Sequence, residues 1–176
     1  QSLVASLIAK YGENYTENWA KGLVSNFSRK PQGNDRAQII AVANKEADLA
    51  IANSYYLGLM LSGKKGDKQL SAGKKVSILF PSQNKYGAHI NISGAGILKS
   101  SQNYDNAIKF LEFMLSEKAQ RHLVNNTFEY PINRNVKPNE IMMQFGINFK
   151  EDSSVVSEFG KFNSAAIKLM DRVGWQ

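Results

Sequence analysis

The stretch Asp48-Leu49-Ala50-Ile51-Ala52-Asn53-Ser54-Tyr55-Tyr56-Leu57-Gly58 decides how the chain is read. The small and apolar run 48–52 reads as a buried strand, and Asn53 or Ser54 offers an N-cap for a helix directly after it. Two adjacent tyrosines, Tyr55 and Tyr56, then stand in the first turn of that helix. Helix N-termini present unpaired N–H groups and positive potential, and open α/β folds bind ligands at the carboxyl ends of their strands. Neighbouring side chains diverge on a straight strand, but at a strand-to-helix turn they can converge on one point.

Working outward, residues 1–11 read as a helix stopped by Gly12. A second helix is expected from about Thr16, as N-cap, to Phe27, with Trp19, Leu23, Val24 and Phe27 on one face. The Pro- and Gly-punctuated loop 28–34 leads to a third helix capped by Asp35 and running to Asn44. After the strand at 48–52 and the helix at 54–63, residues 64–74 read as a basic turn. Val76-Ser77-Ile78-Leu79-Phe80 reads as a second strand ended by Pro81, and 89–92 and 95–98 as further extended segments. Helices are expected at 104–115 and 117–124, divided by Ser116, and at 154–170, with 125–150 mainly irregular. Single strands alternating with helices give an α/β class. The sheet is small for the length, which points to a fold shared with sequence outside these residues.

The chain has 176 residues, 43% of them hydrophobic, enough for a core rather than a disordered segment. No apolar run nears the roughly 20 residues that cross a bilayer, so a soluble chain is expected. Residue 1 is Gln, and helix-like sequence starts at once, so a piece cut from something longer is expected. The lack of cysteine excludes thiolate metal sites, disulfides and thiol nucleophiles within the chain. A net charge of +7 suits an anionic ligand, an acidic partner or nucleic acid. The densest basic patches, Lys64-Lys65-Gly66-Asp67-Lys68 and Lys74-Lys75, read as a solvated turn.

A phenol has a pKa near 10, so it ligates a metal only when a strongly charged cation displaces its proton. Ferric iron, hard and trivalent, prefers anionic oxygens of this kind. A helix N-terminus aimed at the pair favours the ionised form by about 0.3–1 kcal/mol per phenolate. The pair also reads as two aromatics half in the core against Leu57 and Met60, and two residues alone do not decide. Asn53 can donate from two residues upstream, and the loop 32–36, with Asn34, offers a second polar helix start.

Several segments resemble one family, the ferric-ion-binding periplasmic proteins of bacterial iron ABC importers. They are Gln1-Ser2-Leu3-Val4-Ala5-Ser6-Leu7-Ile8, Arg29-Lys30-Pro31-Gln32-Gly33-Asn34-Asp35-Arg36, residues 47–56, Gly87-Ala88-His89-Ile90-Asn91-Ile92-Ser93-Gly94 and Phe128-Glu129-Tyr130-Pro131-Ile132. The resemblance runs in order through residue 138. It implies the C-terminal portion of a two-lobed, type II periplasmic-binding-protein fold. It also implies Tyr55 and Tyr56 as ligands of ferric iron carried as cargo, with Asn53 and Asn34 near the anion or ligand shell. A synergistic anion, an inner-membrane ABC permease and an N-terminal lobe supplying further ligands are the partners it implies. Location in the periplasm, or lipid-anchored at the cell surface as in some relatives, follows from the same source. By this analogy 1–86 is the ligand-bearing lobe, 87–136 crosses to the other lobe, and 137–176 returns.

No G-x-S-x-G, Walker loop or HExxH setting is present, so no catalysis is expected. His89 reads as structural, His122 as a surface residue, Tyr130 as a packing residue at a turn and Tyr86 as a loop aromatic. Two other functions compete with iron carriage. One is a solute-binding protein for an organic or oxyanion ligand, with the tyrosines stacking or hydrogen bonding. The other is a nucleic-acid-binding domain, disfavoured because the aromatics fall at apolar helix positions and not among exposed Lys and Arg.

Overall fold

A computed structural model describes residues 1–175. Its helices are α1 (Ser2–Tyr11), α2 (Glu13–Ser25), α3 (Asp35–Ala43), α4 (Ser54–Leu61), α5 (Asp67–Gly73), α6 (Tyr104–Leu115), α7 (Glu117–Thr127), α8 (Glu140–Met143) and α9 (Phe159–Arg172). Two-residue strands β1 (Ala88–His89) and β2 (Glu151–Asp152) pair in parallel, Ala88 opposite Glu151 and His89 opposite Asp152. Among the described residues no helix is long and apolar enough to cross a membrane. Contacts divide the chain into two units. One comprises Gln1–Asn34, Leu79–Asn91 and the chain from Asn148; the other comprises Asp35–Ile78 and Ile92–Ile147. Val124, Phe128, Val136 and Met142 bring the later segment of the second unit against Tyr55 and Leu59 of α4.

In the first unit, Val4, Ala5 and Ile8 of α1 meet Ala20 of α2 and Ala166 and Leu169 of α9, under Trp19, Phe162 and Trp175. Gly12, at φ 83°, breaks the chain between α1 and α2, so α2 starts at Glu13 and not at a Thr16 cap. Thr16 is instead fully buried inside α2, its hydroxyl donating to the Gly12 carbonyl at 2.8 Å. Gly87, at φ 100°, allows β1 to approach β2; a Cβ there would lie 2.6 Å from the Lys150 carbonyl oxygen. Lys10 pairs with Asp152. Burial alone would push the Asp152 carboxyl up, but hydrogen bonds from Lys10 and Ser154 outweigh it and hold it below its usual range.

The second unit is built around α4. Its sequence, Ser-Tyr-Tyr-Leu-Gly-Leu-Met-Leu, is apolar nearly all round, the pattern of a helix packed on both sides. On one side Leu57 and Met60 join Ile39 of α3 and Ala72 of α5, with Tyr56, Val76 and Ile78 at the edge. On the other, Tyr55 and Leu59 lie against Val124, Phe128, Val136 and Met142. Close approach here depends on Gly58, where a Cβ would sit 2.8 Å from the Phe128 Cβ. Ser116 ends α6 and caps α7, accepting from the Ala119 amide at 3.3 Å.

The sequence expectations fail chiefly at the strands. Residues 48–52 form no strand and are all exposed, with Leu49 at 81% and Ile51 at 53%. The segments 76–80 and 92–98 are likewise irregular, leaving Leu79, Ile92 and Leu98 exposed. An alternating pattern becomes a strand only beside a neighbour that completes its ladder, and the described residues supply one such pair. The expected turn at 64–74 contains helix α5, whose Leu70 and Ala72 lie half-buried and buried, while Lys64, Lys65, Lys68, Lys74 and Lys75 remain exposed. Within 125–150 the short helix α8 is capped by Asn139, which accepts from the Met142 amide at 3.0 Å.

Candidate metal centre

Tyr55 and Tyr56 occupy the first turn of α4 behind the N-cap residue Asn53, as expected, though a loop and not a strand delivers them. Each ring leans on a different core, Tyr55 on the α7–α8 side and Tyr56 on the α3–α5 side. This splits their bodies but brings the rings together, with centroids 4.4 Å apart and planes tilted by 37°. Both tyrosines are half-buried. The packing expected of a core pair and the convergence expected of a ligand pair therefore occur in the same two residues.

The Tyr55 phenol is pushed up to about 12, first by burial, then by hydrogen bonding and proximity to Tyr56, and last by the carboxylates of Asp35 and Glu129. Without a cation Tyr55 is thus held protonated. Burial pushes Tyr130 up to about 12 as well, and its hydroxyl donates to the Gly146 carbonyl at 3.1 Å. In the metal-free protein these two phenols are expected to titrate near pH 12. Ultraviolet absorbance of ionised phenol reads both, and Tyr55→Phe should remove one. Unfolded tyrosine releases its proton near pH 10. Between about pH 10 and 12 the folded chain therefore binds more protons than the unfolded one, and stability should fall as pH rises through that window.

Asn53 does not cap α4 with its side chain. Its backbone N–H and its amide nitrogen both donate to Oδ2 of Asp35, at 2.8 and 3.0 Å. Asp35 therefore clamps the start of α4 from the first turn of α3, beyond the capping role expected from sequence. Glu129 accepts from the Ser93 hydroxyl at 2.6 Å and from the Thr127 hydroxyl at 3.1 Å. Sequence reasoning missed both carboxylates as parts of the site. Asp35 lies 18 residues from Asn53, and nothing local signals the pairing. Glu129 stood inside a recognised segment without a role.

Asn34 is exposed in the turn one residue ahead of α3. His89 belongs to the first unit, where its Nε2 lies 3.2 Å from the Ser2 hydroxyl and its ring 5.3 Å from that of Phe159. Burial, above all, lowers its pKa, so it sits as a neutral, packed imidazole. His122 is exposed on α7. Among the described residues, no three His, Asp or Glu side chains cluster so as to hold a metal ion. A metal at α4 would rest on the phenol oxygens. Two surface hollows, of about 400 and 480 Å³, are lined by other residues: Ile97, Leu98, Phe110 and Leu111 in one, Gln1, Ser2, Asn91 and Asn163 in the other.

Two phenol rings thus converge at the start of α4, beside the Asp35–Asn53 hydrogen bonds. The chain belongs to the bacterial extracellular solute-binding protein family, whose pattern matches residues 4–121. It is 45% identical over its whole length to iron uptake protein A1 of Synechocystis sp., covering 48% of that protein. Over 133 residues it is 35% identical to the major ferric iron-binding protein of Neisseria meningitidis, matching 76% of this chain and 38% of the relative. Among solved structures it is similar to Trichodesmium IdiA (FutA) in complex with iron and citrate ligands. That match has 47% identity and a TM-score of 0.94, and covers 99% of this chain and 55% of the other. The ferric binding protein from Campylobacter jejuni matches with 41% identity and a TM-score of 0.92, covering 98% of this chain and 54% of the other. The chain thus spans about half the length of the relatives it matches. The resemblance read from the sequence is borne out, and so is the fold class, a part of the two-lobed type II architecture these neighbours share.

Proposed function

We propose that this chain is the ligand-bearing part of a periplasmic ferric-iron-binding protein serving an ABC importer, with Tyr55 and Tyr56 as phenolate ligands. One observation carries the reading: two phenols meet at the start of α4 with the carboxylates of Asp35 and Glu129 acting on them. Burial first, and the carboxylates last, keep the Tyr55 phenol protonated, and a trivalent cation drawn by those carboxylates displaces the proton and takes the oxygen. The carboxylates favour a cation at the pair, so ferric iron fits the site better than the organic or oxyanion solute weighed from the sequence. Iron is cargo, taken up when the cleft closes and given to the inner-membrane permease when it opens. Asn53 and Asn34 stand in the surrounding polar shell. Ferric iron takes about six donors, so further ligands come from the remainder of the protein or from a bound anion such as citrate.

Titration of the full-length protein with ferric citrate tests this reading, because phenolate bound to ferric iron gives a visible charge-transfer band that free tyrosine lacks. A saturable band is expected. The absence of both band and iron binding would return the site to the organic-ligand reading, and iron binding without the band would contradict ligation by the tyrosines.

The remainder of the protein is also expected to supply the ladder neighbours that 48–52 and 76–80 lack. Amides of Leu49, Ala50, Ile51 and Ala52 should exchange with solvent within the fastest class in the isolated 176-residue chain. In the full-length protein they should be protected. Equal exchange in both would show that these segments are loops in their own right.

A further inference from the structure

We infer that the lysines around α5 form a docking surface for an anionic phospholipid bilayer. The inference stands apart from the tyrosine pair and does not depend on what the pair binds. Segment 64–75, Lys-Lys-Gly-Asp-Lys-Gln-Leu-Ser-Ala-Gly-Lys-Lys, holds five lysines against one acid, Asp67, so +4 of the net charge of +7 falls within 12 residues. All five lysines are exposed. Among the described residues none of them is in an ion pair. Lys64 donates to the Asn125 carbonyl at 3.3 Å and stands 5.4 Å over the Phe128 ring, while the other four ammonium groups face solvent.

The patch is carried on a packed platform. Ala72 of α5 joins Leu57 and Met60 of α4 in the core, and a Cβ at Gly73 would lie 3.3 Å from Leu61 Cδ2. The helix spans about 10 Å, comparable with the Debye length of about 8–10 Å at physiological salt. Lysines at its two ends therefore act together on a facing surface. The stability of α5 does not account for the set. Lys74 and Lys75, at its C-terminal end, complement the helix dipole, but Lys64, Lys65 and Lys68 crowd its N-terminal end, where cations oppose it. Like charges this dense repel one another, whereas a surface that serves solubility alone interleaves both signs. The chemistry of the set then selects the partner. Every cation in it is Lys, a hydrated point charge, and none is Arg, whose fork grips a carboxylate through two bonds. A sheet of anionic headgroups asks for charge density without fixed geometry, so it fits these lysines better than an acidic protein surface does.

The test is co-sedimentation of the full-length protein with vesicles of equal parts phosphatidylglycerol and phosphatidylcholine, and with vesicles of phosphatidylcholine alone. Binding is expected to the anionic vesicles only, and it should fall steeply as salt is raised. Each lysine near an anionic bilayer is worth about a fivefold gain in partition, so Lys65→Gln, Lys68→Gln, Lys74→Gln and Lys75→Gln combined should cost about 100-fold or more. Lys99→Gln, Lys109→Gln, Lys118→Gln and Lys137→Gln, at exposed and scattered positions of the same unit, change the net charge equally and together should cost less than about fivefold. Circular dichroism should show both variants folded as wild type, since these side chains enter no core. Failure to bind the anionic vesicles would overturn the inference. So would an equal loss in the two variants, which would assign binding to net charge, and so would displacement by inorganic phosphate at matched ionic strength, which would mark a phosphate site. Lysine-dependent binding to the purified permease without vesicle binding would also overturn it, and would give the patch to an acidic protein.

Discussion

Replacing both tyrosines, Tyr55→Phe and Tyr56→Phe, is expected to abolish the ferric charge-transfer band and weaken iron binding by more than about 100-fold. Changing only the groups that orient metal ligands costs about 10- to 100-fold, and here two ligand atoms are removed outright. Each single variant should keep a weaker band, since one phenolate remains. Packing does not explain such a loss, because phenylalanine keeps the ring in its place against either core and deletes only the hydroxyl. The pH dependence should carry the same signature. The Tyr55 phenol, held protonated in the iron-free site, must release its proton on loading, so apparent affinity should climb by about 10-fold or more per pH unit below the phenol range. Tyr55→Phe should flatten that slope. Competition titrations at several pH values would measure it.

The second large effect is structural. Phe128→Ala is expected to destabilise the second unit by about 3–5 kcal/mol, the usual range for removing a buried phenylalanine. Phe128 is 3% exposed and ends α7 at φ 59°, a conformation that bulky residues avoid. Its ring lies directly under Gly58, and that contact seats α4 against α7. Domain stabilities are commonly about 5–15 kcal/mol, so the loss should bring the unit close to unfolding at modest temperature. Denaturant unfolding would measure it. Gly58→Ala approaches the same contact from the other side. The clash with Phe128, typically about 1–3 kcal/mol, opposes a helix-propensity gain of about 1 kcal/mol, so a smaller destabilisation is expected. In both variants the iron band should weaken along with stability, because the first turn of α4 carries the ligands.

How much of this was legible in the sequence differs by element. The amphipathic helices were, because their pattern and their breaks are local: Gly12 after α1, Ser116 between α6 and α7, and the all-apolar α4. The tyrosine pair was legible for the same reason, being contiguous with its helix start. The strands expected at 48–52 and 76–80 do not form, because an apolar run reports which side chains are apolar and says nothing about whether a neighbouring strand is present. Helix α5 was hidden by the lysines around Gly66, whose charge marks a solvated surface and not the absence of a helix. The Asp35–Asn53 clamp and the Glu129 carboxylate were out of reach, since tertiary contact alone joins them to the pair. Phe128 in a left-handed conformation is a similar case, imposed by packing against the local preference.

The most direct test of the central claim is resonance Raman spectroscopy of the full-length protein loaded with ferric iron, excited within its charge-transfer band. Ring vibrations of iron-bound tyrosinate are expected to be enhanced, to weaken in Tyr55→Phe and in Tyr56→Phe, and to vanish when both are replaced. Iron bound with no tyrosinate vibrations, or with vibrations that survive the double replacement, would contradict the assignment of iron to this pair.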